Sequence, residues 1–177
     1  MRIIAGKLGG RNFASSTGFK THPMSEKARG ALFNALGDIT GLVVADVFAG
    51  TGAIGFEAIS RGAASVVLID SDRFAQKTIK ANIETLGLED QASIIPAHAK
   101  SWLNRNKVLY DIVICDPPYN DISERLIELI AVKSVKPGGI LVLSLPPKTR
   151  IILEKHFDTA QSKSYGDATL TFYRRNA

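Results

Sequence analysis

From residue 43 onward, short apolar runs alternate with segments of helical periodicity, and this alternation constrains the fold more than any other feature of the sequence. The apolar runs cover residues 43–47, 65–69, 93–95, 112–115 and 140–143, and the helical segments cover 52–60, 72–86, 100–105 and 123–132. A strand that is apolar at every position must be buried on both faces, as in a parallel sheet with helices on both sides. The pattern therefore predicts an α/β fold with a doubly wound, mostly parallel sheet.

The two ends of the chain depart from this alternation. Residues 148–156 have a helical pattern, and strand-like runs at 158–164 and 168–173 predict a closing antiparallel hairpin. At the other end, an extended segment at 2–5 and a glycine-bounded turn predict a small β-hairpin arm, followed by a helix between Ser25 and Gly37. We therefore expect an N-terminal extension over residues 1–36 and a main domain over residues 37–177.

The net charge of +5 is confined to the first fifth of the chain. Residues 1–36 hold six of the 22 basic residues and one of the 17 acidic residues, so the remaining residues carry 16 of each. Clustered Lys and Arg are typical of proteins that bind a phosphate backbone. A solvated basic face without a partner would give the same count.

Composition excludes several classes of protein. With 45% hydrophobic residues the chain is not intrinsically disordered, and its single cysteine, Cys115, excludes a disulfide scaffold or a cysteine-rich zinc site. The apolar runs are too short for a membrane span or a signal peptide. We expect a monomeric cytoplasmic protein with no metal and no membrane partner, and we place Cys115 in the core.

A glycine-rich loop follows the first predicted strand and opens a helix. Gly50, Gly52 and Gly55 form the pattern G-x-G-x-x-G, and Asp70 lies at the end of the next strand, where a carboxylate can bind ribose hydroxyls. These residues predict a cofactor that contains adenosine. Asp46, directly before the loop, would repel a pyrophosphate but suits the cationic amino group of a methionyl moiety. This favours S-adenosylmethionine, with an NAD-linked oxidoreductase as an alternative.

A second signature, Asp116-Pro117-Pro118-Tyr119, follows the fourth predicted strand. Carboxyl ends of strands in an open α/β sheet line one crevice, so this loop and the glycine loop face the same site. The Asp116 carboxylate and the Pro117 carbonyl can hold an exocyclic amine of a nucleobase, and Tyr119 can stack on the base. A rigid turn with Tyr119 packed in the core is the structural alternative.

These residues carry a resemblance to a known family. Residues 46–55 resemble motif I of class I S-adenosylmethionine-dependent methyltransferases, which have a Rossmann-like fold, and residues 116–119 resemble the motif of those that methylate exocyclic amino groups. Nearly the whole chain is similar to the bacterial 16S rRNA guanine-N2 methyltransferases of the RsmD type. The match includes Arg2-Ile-Ile-Ala-Gly6, Gly10-Arg11, Arg29, residues 32–34 and residues 48–62.

The resemblance implies a seven-stranded class I fold in which residues 37–177 bind the methyl donor and residues 1–36 dock RNA. It implies methyl transfer to N2 of a guanine in 16S rRNA, either free or in the 30S subunit. The implied cofactor-binding residues are Asp46, Phe48, Gly50, Thr51, Gly52, Gly55, Asp70, Ser71, His98 and Ala99. Asp116, Pro117 and Tyr119 are the implied catalytic residues, and Arg2, Lys7, Arg11, Lys20 and Arg29 the implied RNA-binding residues.

The chain departs from the family pattern at three places. His22-Pro23-Met24 replaces Arg-Pro-Thr, Gly30 replaces a glutamate, and His98 stands where an Asp or Asn usually faces the adenine. Two further functions are therefore open: methylation of adenine N6 or of a protein glutamine, and a non-catalytic RNA-binding module of the same fold. The target nucleotide and the form of the substrate are open as well.

Overall fold

A computed structural model describes residues 1–15, 24–119, 122–153, 155–166 and 168–177. The five helices of these residues are α1 (Glu26–Leu36), α2 (Ala53–Ser60), α3 (Arg73–Leu86), α4 (Ala99–Arg105) and α5 (Glu124–Ser134). The seven strands are β1 (Val43–Val47), β2 (Ser65–Asp70), β3 (Ala92–Pro96), β4 (Tyr110–Cys115), β5 (Val135–Leu145), β6 (Phe157–Tyr165) and β7 (Ala168–Arg175). None of these helices is long and apolar enough to cross a membrane.

All seven strands form one sheet in the order β3-β2-β1-β4-β5-β7-β6. Strands β1 to β5 are parallel, whereas β7 pairs antiparallel with both β5 and β6. The predicted doubly wound sheet with a C-terminal hairpin is thus confirmed. The strand order reverses between β1 and β4, which is the position at which such sheets bind ligands.

Helices cover both faces of the parallel strands, and each face has its own apolar core. One core contains Phe33 of α1, Ile59 of α2 and Ile79 of α3, all fully or almost fully buried. The other contains Trp102 of α4 and Ile130 of α5, together with Cys115. The prediction that Cys115 is a core residue is confirmed. Burial on both sides explains why the central strands are apolar at nearly every position.

The helix predicted over 148–156 is wrong for the described residues of that stretch. Strand β5 continues to Leu145, a turn follows in which the Thr149 N–H donates to the Pro146 carbonyl (2.9 Å), and the chain stays irregular to residue 153. Burial alternates along the stretch: Ile151 and Leu153 are buried, whereas Ile152 between them is exposed. This period of two belongs to extended chain rather than helix.

The N-terminal hairpin is smaller than predicted. It contains one antiparallel bridge, between Arg2 and Asn12, in place of two strands. Its apolar residues join the core of the sheet: Ile3 and Phe13 are buried, and the Phe13 ring meets Phe56 of α2 edge to face at 5.4 Å. The following helix begins after the predicted cap, Ser25, whose hydroxyl accepts from the Ala28 N–H. Division of the chain at residues 36 and 37 stays a prediction.

Candidate active site

Three carboxylates meet at the carboxyl edge of the sheet. Asp46 lies in β1, Asp70 ends β2, and Asp116 directly follows β4; these strands are neighbours, with β1 in the middle. The negative charges of Asp116 and Asp70 both contribute to raising the pKa of Asp46. The sheet therefore brings the two sequence signatures together at the switch point, as predicted.

The three glycines of the loop have three different structural roles. Gly50 has φ of +57°, and a Cβ built on it would meet no atom within 4 Å, so the backbone there borders open space. Gly52 has φ of +82° and caps α2, and a Cβ would lie 2.6 Å from the Phe56 ring. A Cβ on Gly55 would lie 2.6 Å from Leu68 of β2. Gly50 thus leaves room for a ligand, while Gly52 and Gly55 allow the turn and the helix packing.

Asp70 organises the glycine loop from the neighbouring strand. Its two carboxylate oxygens accept the Gly50 N–H and the Asp72 N–H, each at 2.8 Å. Phe48 has φ of +72°, which costs a non-glycine residue about 1 to 3 kcal/mol. The Phe48 N–H donates to the Ile69 carbonyl, and this bond helps to hold the loop against β2. A carboxylate has further acceptor positions, so Asp70 can also bind hydroxyl groups.

Asp46 is a buried carboxyl with one unsatisfied oxygen. Its side chain is fully buried, Oδ2 accepts the Gly55 N–H at 3.1 Å, and Oδ1 has no hydrogen-bond partner among the described residues. Burial, reinforced by the nearby Asp116 and Asp70 charges, raises the pKa of Asp46 to about 8. A buried carboxylate without a partner is costly, so a bound cation with N–H donors would suit this position.

The second signature is more exposed. Asp116 is half-buried, Pro117 is buried, and the Tyr119 side chain is 41% exposed. Tyr119 is therefore not a core aromatic, which was the structural alternative for this motif. Burial raises the pKa of the Cys115 thiol, with Asp46 and Asp116 adding to the effect, so Cys115 is not a thiolate nucleophile.

The remaining predicted cofactor residues lie around the same edge. Thr51 is buried and its hydroxyl donates to the Met1 sulfur at 3.2 Å, while Ser71 is exposed. His98 is the exposed N-cap residue of α4, and Ala99 is buried at the first position of that helix. In the described part of the chain, no group of three or more His, Cys, Asp or Glu side chains is placed to hold a metal ion.

The predicted RNA-binding residue Arg29 requires a correction. It is completely buried in α1, its Nη2 donates to the Arg2 carbonyl at 2.7 Å, and its Nε lies 3.8 Å from Glu57. Burial lowers the pKa of Arg29, and the Glu57 charge opposes that shift. Arg29 thus packs inside the protein instead of facing a phosphate. Lys20 lies outside the described residues.

Of the predicted RNA-binding residues, Arg2, Lys7 and Arg11 are exposed. Each already has a protein partner: Arg2 forms a 2.8 Å ion pair with Glu26, Lys7 donates to Gln91, and Arg11 donates to the carbonyls that end α3. The end of α3 and the residue before β3 both lie at the amino edge of the sheet. Lys7 and Arg11 are therefore at the opposite edge from the three carboxylates.

Glu57 holds the N-terminal segment to the sheet, a role that the sequence analysis missed. This fully buried residue of α2 accepts the Ile4 N–H at 2.7 Å and the Ala5 N–H at 3.1 Å, and its Oε1 pairs with Arg61 at 2.8 Å. Ile4 and Ala5 lie 53 and 52 residues from Glu57 along the chain. A glutamate on the apolar face of a predicted helix is the signal that indicates such a role, because a buried charge needs partners.

Asn82 of α3 connects the N-terminal segment to the glycine loop. Its Oδ1 accepts the Ala14 N–H at 2.9 Å, and its Nδ2 donates to the Ala14 carbonyl at 3.0 Å and to the Thr51 carbonyl at 3.4 Å. The segment thus reaches Thr51 of the glycine loop in two ways, directly through Met1 and indirectly through Asn82. The N-terminal segment therefore supports the candidate active site as well as the core.

The fold and the two loops define a class I methyltransferase with a Rossmann-like sheet. A model of the family described as "Conserved hypothetical protein 95" matches residues 1–174, and the chain belongs to this family. It is 32% identical to Ribosomal RNA small subunit methyltransferase D of Buchnera aphidicola, over 91% of this chain and 86% of that protein. The protein of the same name from Haemophilus influenzae is 28% identical, over 98% of this chain and 93% of its own length. The solved structure of yhhF from Escherichia coli has a TM-score of 0.89 and 28% identity, and covers 100% of this chain and 98% of that one.

Proposed function

We propose that this chain transfers a methyl group from S-adenosylmethionine to the exocyclic N2 amine of a guanine in 16S rRNA. The observation that carries the proposal is the meeting of a nucleotide-binding glycine loop with Asp116-Pro117-Pro118-Tyr119 at one edge of the sheet. The names of the relatives in Buchnera and Haemophilus support the substrate class. An NAD-linked reaction would leave the second loop without a purpose.

The residues present fit the methyl donor. Open space at Gly50 allows close approach of a ligand to the loop backbone, and the unsatisfied Asp46 oxygen suits the cationic amino group. Asp70, at the end of β2, would accept hydrogen bonds from the ribose, and Phe48, Thr51, Ser71, His98 and Ala99 would complete the pocket. When bound, S-adenosylmethionine supplies a methyl group on a cationic sulfur.

The second loop would position the nucleophile. The amine lone pair of guanine is delocalised into the ring, so a productive geometry must be imposed by the protein. The Asp116 carboxylate and the Pro117 carbonyl would accept the two N–H groups, Tyr119 would stack on the base, and Asp116 would receive the proton that the amine loses. Because the base must leave its stack to enter this crevice, the substrate would be a single-stranded or unstacked guanine.

The exposed N-terminal cations would bind the RNA backbone away from the reacting base. Their charge and exposure support this role, and the position of Lys7 and Arg11 at the amino edge limits these two to distant phosphates. The division into an RNA-docking extension and a catalytic unit belongs to this proposal, with the change that Arg29 acts inside the protein. The monomeric state and the cytoplasmic location are part of it too.

The test is methyl transfer from labelled donor to naked 16S rRNA and to 30S subunits, both free of the modification, followed by identification of the modified nucleoside. We expect N2-methylguanosine, and we expect Asp116→Asn to lower kcat by about 100-fold or more while donor affinity changes little. Exposed Asp158 in β6 provides the matched control, Asp158→Asn. N6-methyladenosine would instead show an adenine enzyme, and donor binding without transfer to any RNA, DNA or protein would show a non-catalytic module.

A further inference from the structure

We propose that residues 146–153, here named the post-β5 segment, bind the RNA strand that flanks the methylated guanine. The inference rests on the proposed function and adds a substrate-binding surface in a stretch for which the sequence pattern predicts a helix. The exposed residues of this segment are Pro147, Lys148, Arg150 and Ile152, that is, two cations and two apolar residues.

The register of the sheet places the segment beside the second signature. Strands β4 and β5 are parallel, and Cys115 pairs with Leu143, so the chain leaves both strands at the same edge within two or three residues. Ile122, which follows the Tyr119 loop, packs on the same apolar core as Ile151 and Leu153. The post-β5 segment and the loop of Asp116 to Tyr119 are thus adjacent parts of one rim.

The backbone of the segment is fixed although its outer side chains are exposed. Ile151 and Leu153 are buried, the Tyr173 hydroxyl donates to the Ile151 carbonyl at 2.8 Å, and a turn closes between Pro146 and Thr149. A surface that is already ordered loses little conformational entropy when it binds. The segment therefore presents a preformed ridge beside the crevice.

The two cations of the ridge, Lys148 and Arg150, have no hydrogen-bond or ion-pair partner among the described residues. By contrast, Arg2, Lys7 and Arg11 all have protein partners. Residues 146–153 contain no acidic residue. An unpaired cation gives up fewer protein contacts when it binds a phosphate, so these two are better suited to the task than Lys7 or Arg11.

Charge complementarity selects RNA as the occupant. The crevice itself holds Asp46, Asp70 and Asp116, which repel phosphates, so an RNA strand that delivers a base there needs cations on the rim. Ile152 is 75% exposed, and an unstacked strand offers base faces that such apolar groups can contact. A protein partner would need a broader apolar surface than one isoleucine.

The experiment compares two double variants, Lys148→Ala/Arg150→Ala and Lys77→Ala/Lys80→Ala. Both remove two exposed positive charges, and the second pair lies on α3, away from the ridge. At about 0.7 per phosphate on a single strand, loss of two contacts should flatten the slope of log K against log salt by about 1.4. The same relation predicts a Kd for transcribed 16S rRNA about 25-fold higher at about 0.1 M salt. Donor affinity and melting temperature should stay unchanged, and Ile152→Ser should raise KM without altering the salt slope.

Equal losses in the two double variants, or an unchanged salt slope in the first, would overturn the inference. A loss confined to 30S subunits, with binding of naked RNA intact, would assign the ridge to a ribosomal protein and would overturn it too. Failure of the proposed function has a different signature, because the unaltered chain would then form no N2-methylguanosine in 16S rRNA.

Discussion

The free energy of unfolding should depend on pH because the buried Asp46 carboxyl ionises less readily in the folded protein than in the unfolded chain. Its pKa is raised from 3.8 to about 8 in the folded protein, mainly by burial. The folded state therefore holds a proton that the unfolded state releases above pH 4. The stability contributed by this proton is fully present below the unfolded pKa and is lost as pH rises towards 8.

The magnitude follows from linkage. Between the two pKa values the folded chain binds about one proton more than the unfolded chain, so stability falls by about 1.4 kcal/mol per pH unit from this group. From about pH 5.5 to 7.5 the loss is about 2 to 3 kcal/mol. Asp46→Asn carries no titrating group at this position, and comparison with it cancels the contributions of other residues. The difference in stability between the variant and the unaltered chain should shift by that amount in favour of the variant.

Urea denaturation at several pH values measures this difference in stability. Calorimetry measures a second effect, the pH dependence of donor binding. A cationic amino group beside Asp46 favours the carboxylate, so donor binding near pH 7 should release a proton and strengthen about tenfold per unit between about pH 6 and 7. Asp46→Asn should bind the donor weakly with no proton release. A pH-independent stability difference between the two chains would refute the reasoning, because the pKa of Asp46 would then be the same in the folded and unfolded states.

The other predictions concern the glycine loop, the buried Glu57 and the N-terminal cations. Gly50→Ala should cost about 1 to 2 kcal/mol of stability through its positive φ and should lower donor affinity, whereas Gly55→Ala should destabilise by about 1 to 3 kcal/mol through its clash with β2. Calorimetry and urea melts distinguish the two, and equal donor affinity in Gly50→Ala would contradict the open-space argument. Glu57→Gln should cost about 3 to 5 kcal/mol in urea melts, because it leaves the buried Arg29 charge without its partner, and a loss below about 1 kcal/mol would count against that pairing. Substitution of the exposed N-terminal cations by Gln should weaken rRNA binding and flatten its salt dependence in filter-binding assays, and an equally steep fall in donor affinity would contradict their assignment to RNA.

Local patterns predicted the sheet and the glycine loop well. The spacing of Gly50, Gly52 and Gly55 depends on one turn and one helix, and the apolar runs depend on burial within a parallel sheet, so both are visible in short windows of sequence. The pairing of the two signatures at one edge then follows from topology rules. Strand boundaries were less accurate, since β5 begins at Val135, before a glycine pair that interrupts its apolar pattern.

The features that sequence missed depend on contacts between distant parts of the chain. Glu57 and Asn82 satisfy backbone groups more than 50 residues away, and a single sequence does not show such partners. Arg29 is one of the six basic residues of the N-terminal segment, but a count of charges does not show that it is buried next to Glu57. The segment after β5 has a helix-like composition, but its extended conformation depends on burial of Ile151 and Leu153 and on a hydrogen bond from the distant Tyr173.

The structure therefore changes what the excess N-terminal charge can do. One of those cations lies inside the protein, and the tip of the hairpin lies at the amino edge, about 21 Å from the crevice along the 14 residues of α3. Contacts at that distance add affinity for RNA but do not orient the reacting base, so their loss should raise KM and spare kcat. The cations after β5 adjoin the loop that would hold the base. If orientation of the strand depends on them, their loss should raise KM and also lower kcat when the salt concentration is high enough to weaken the remaining contacts.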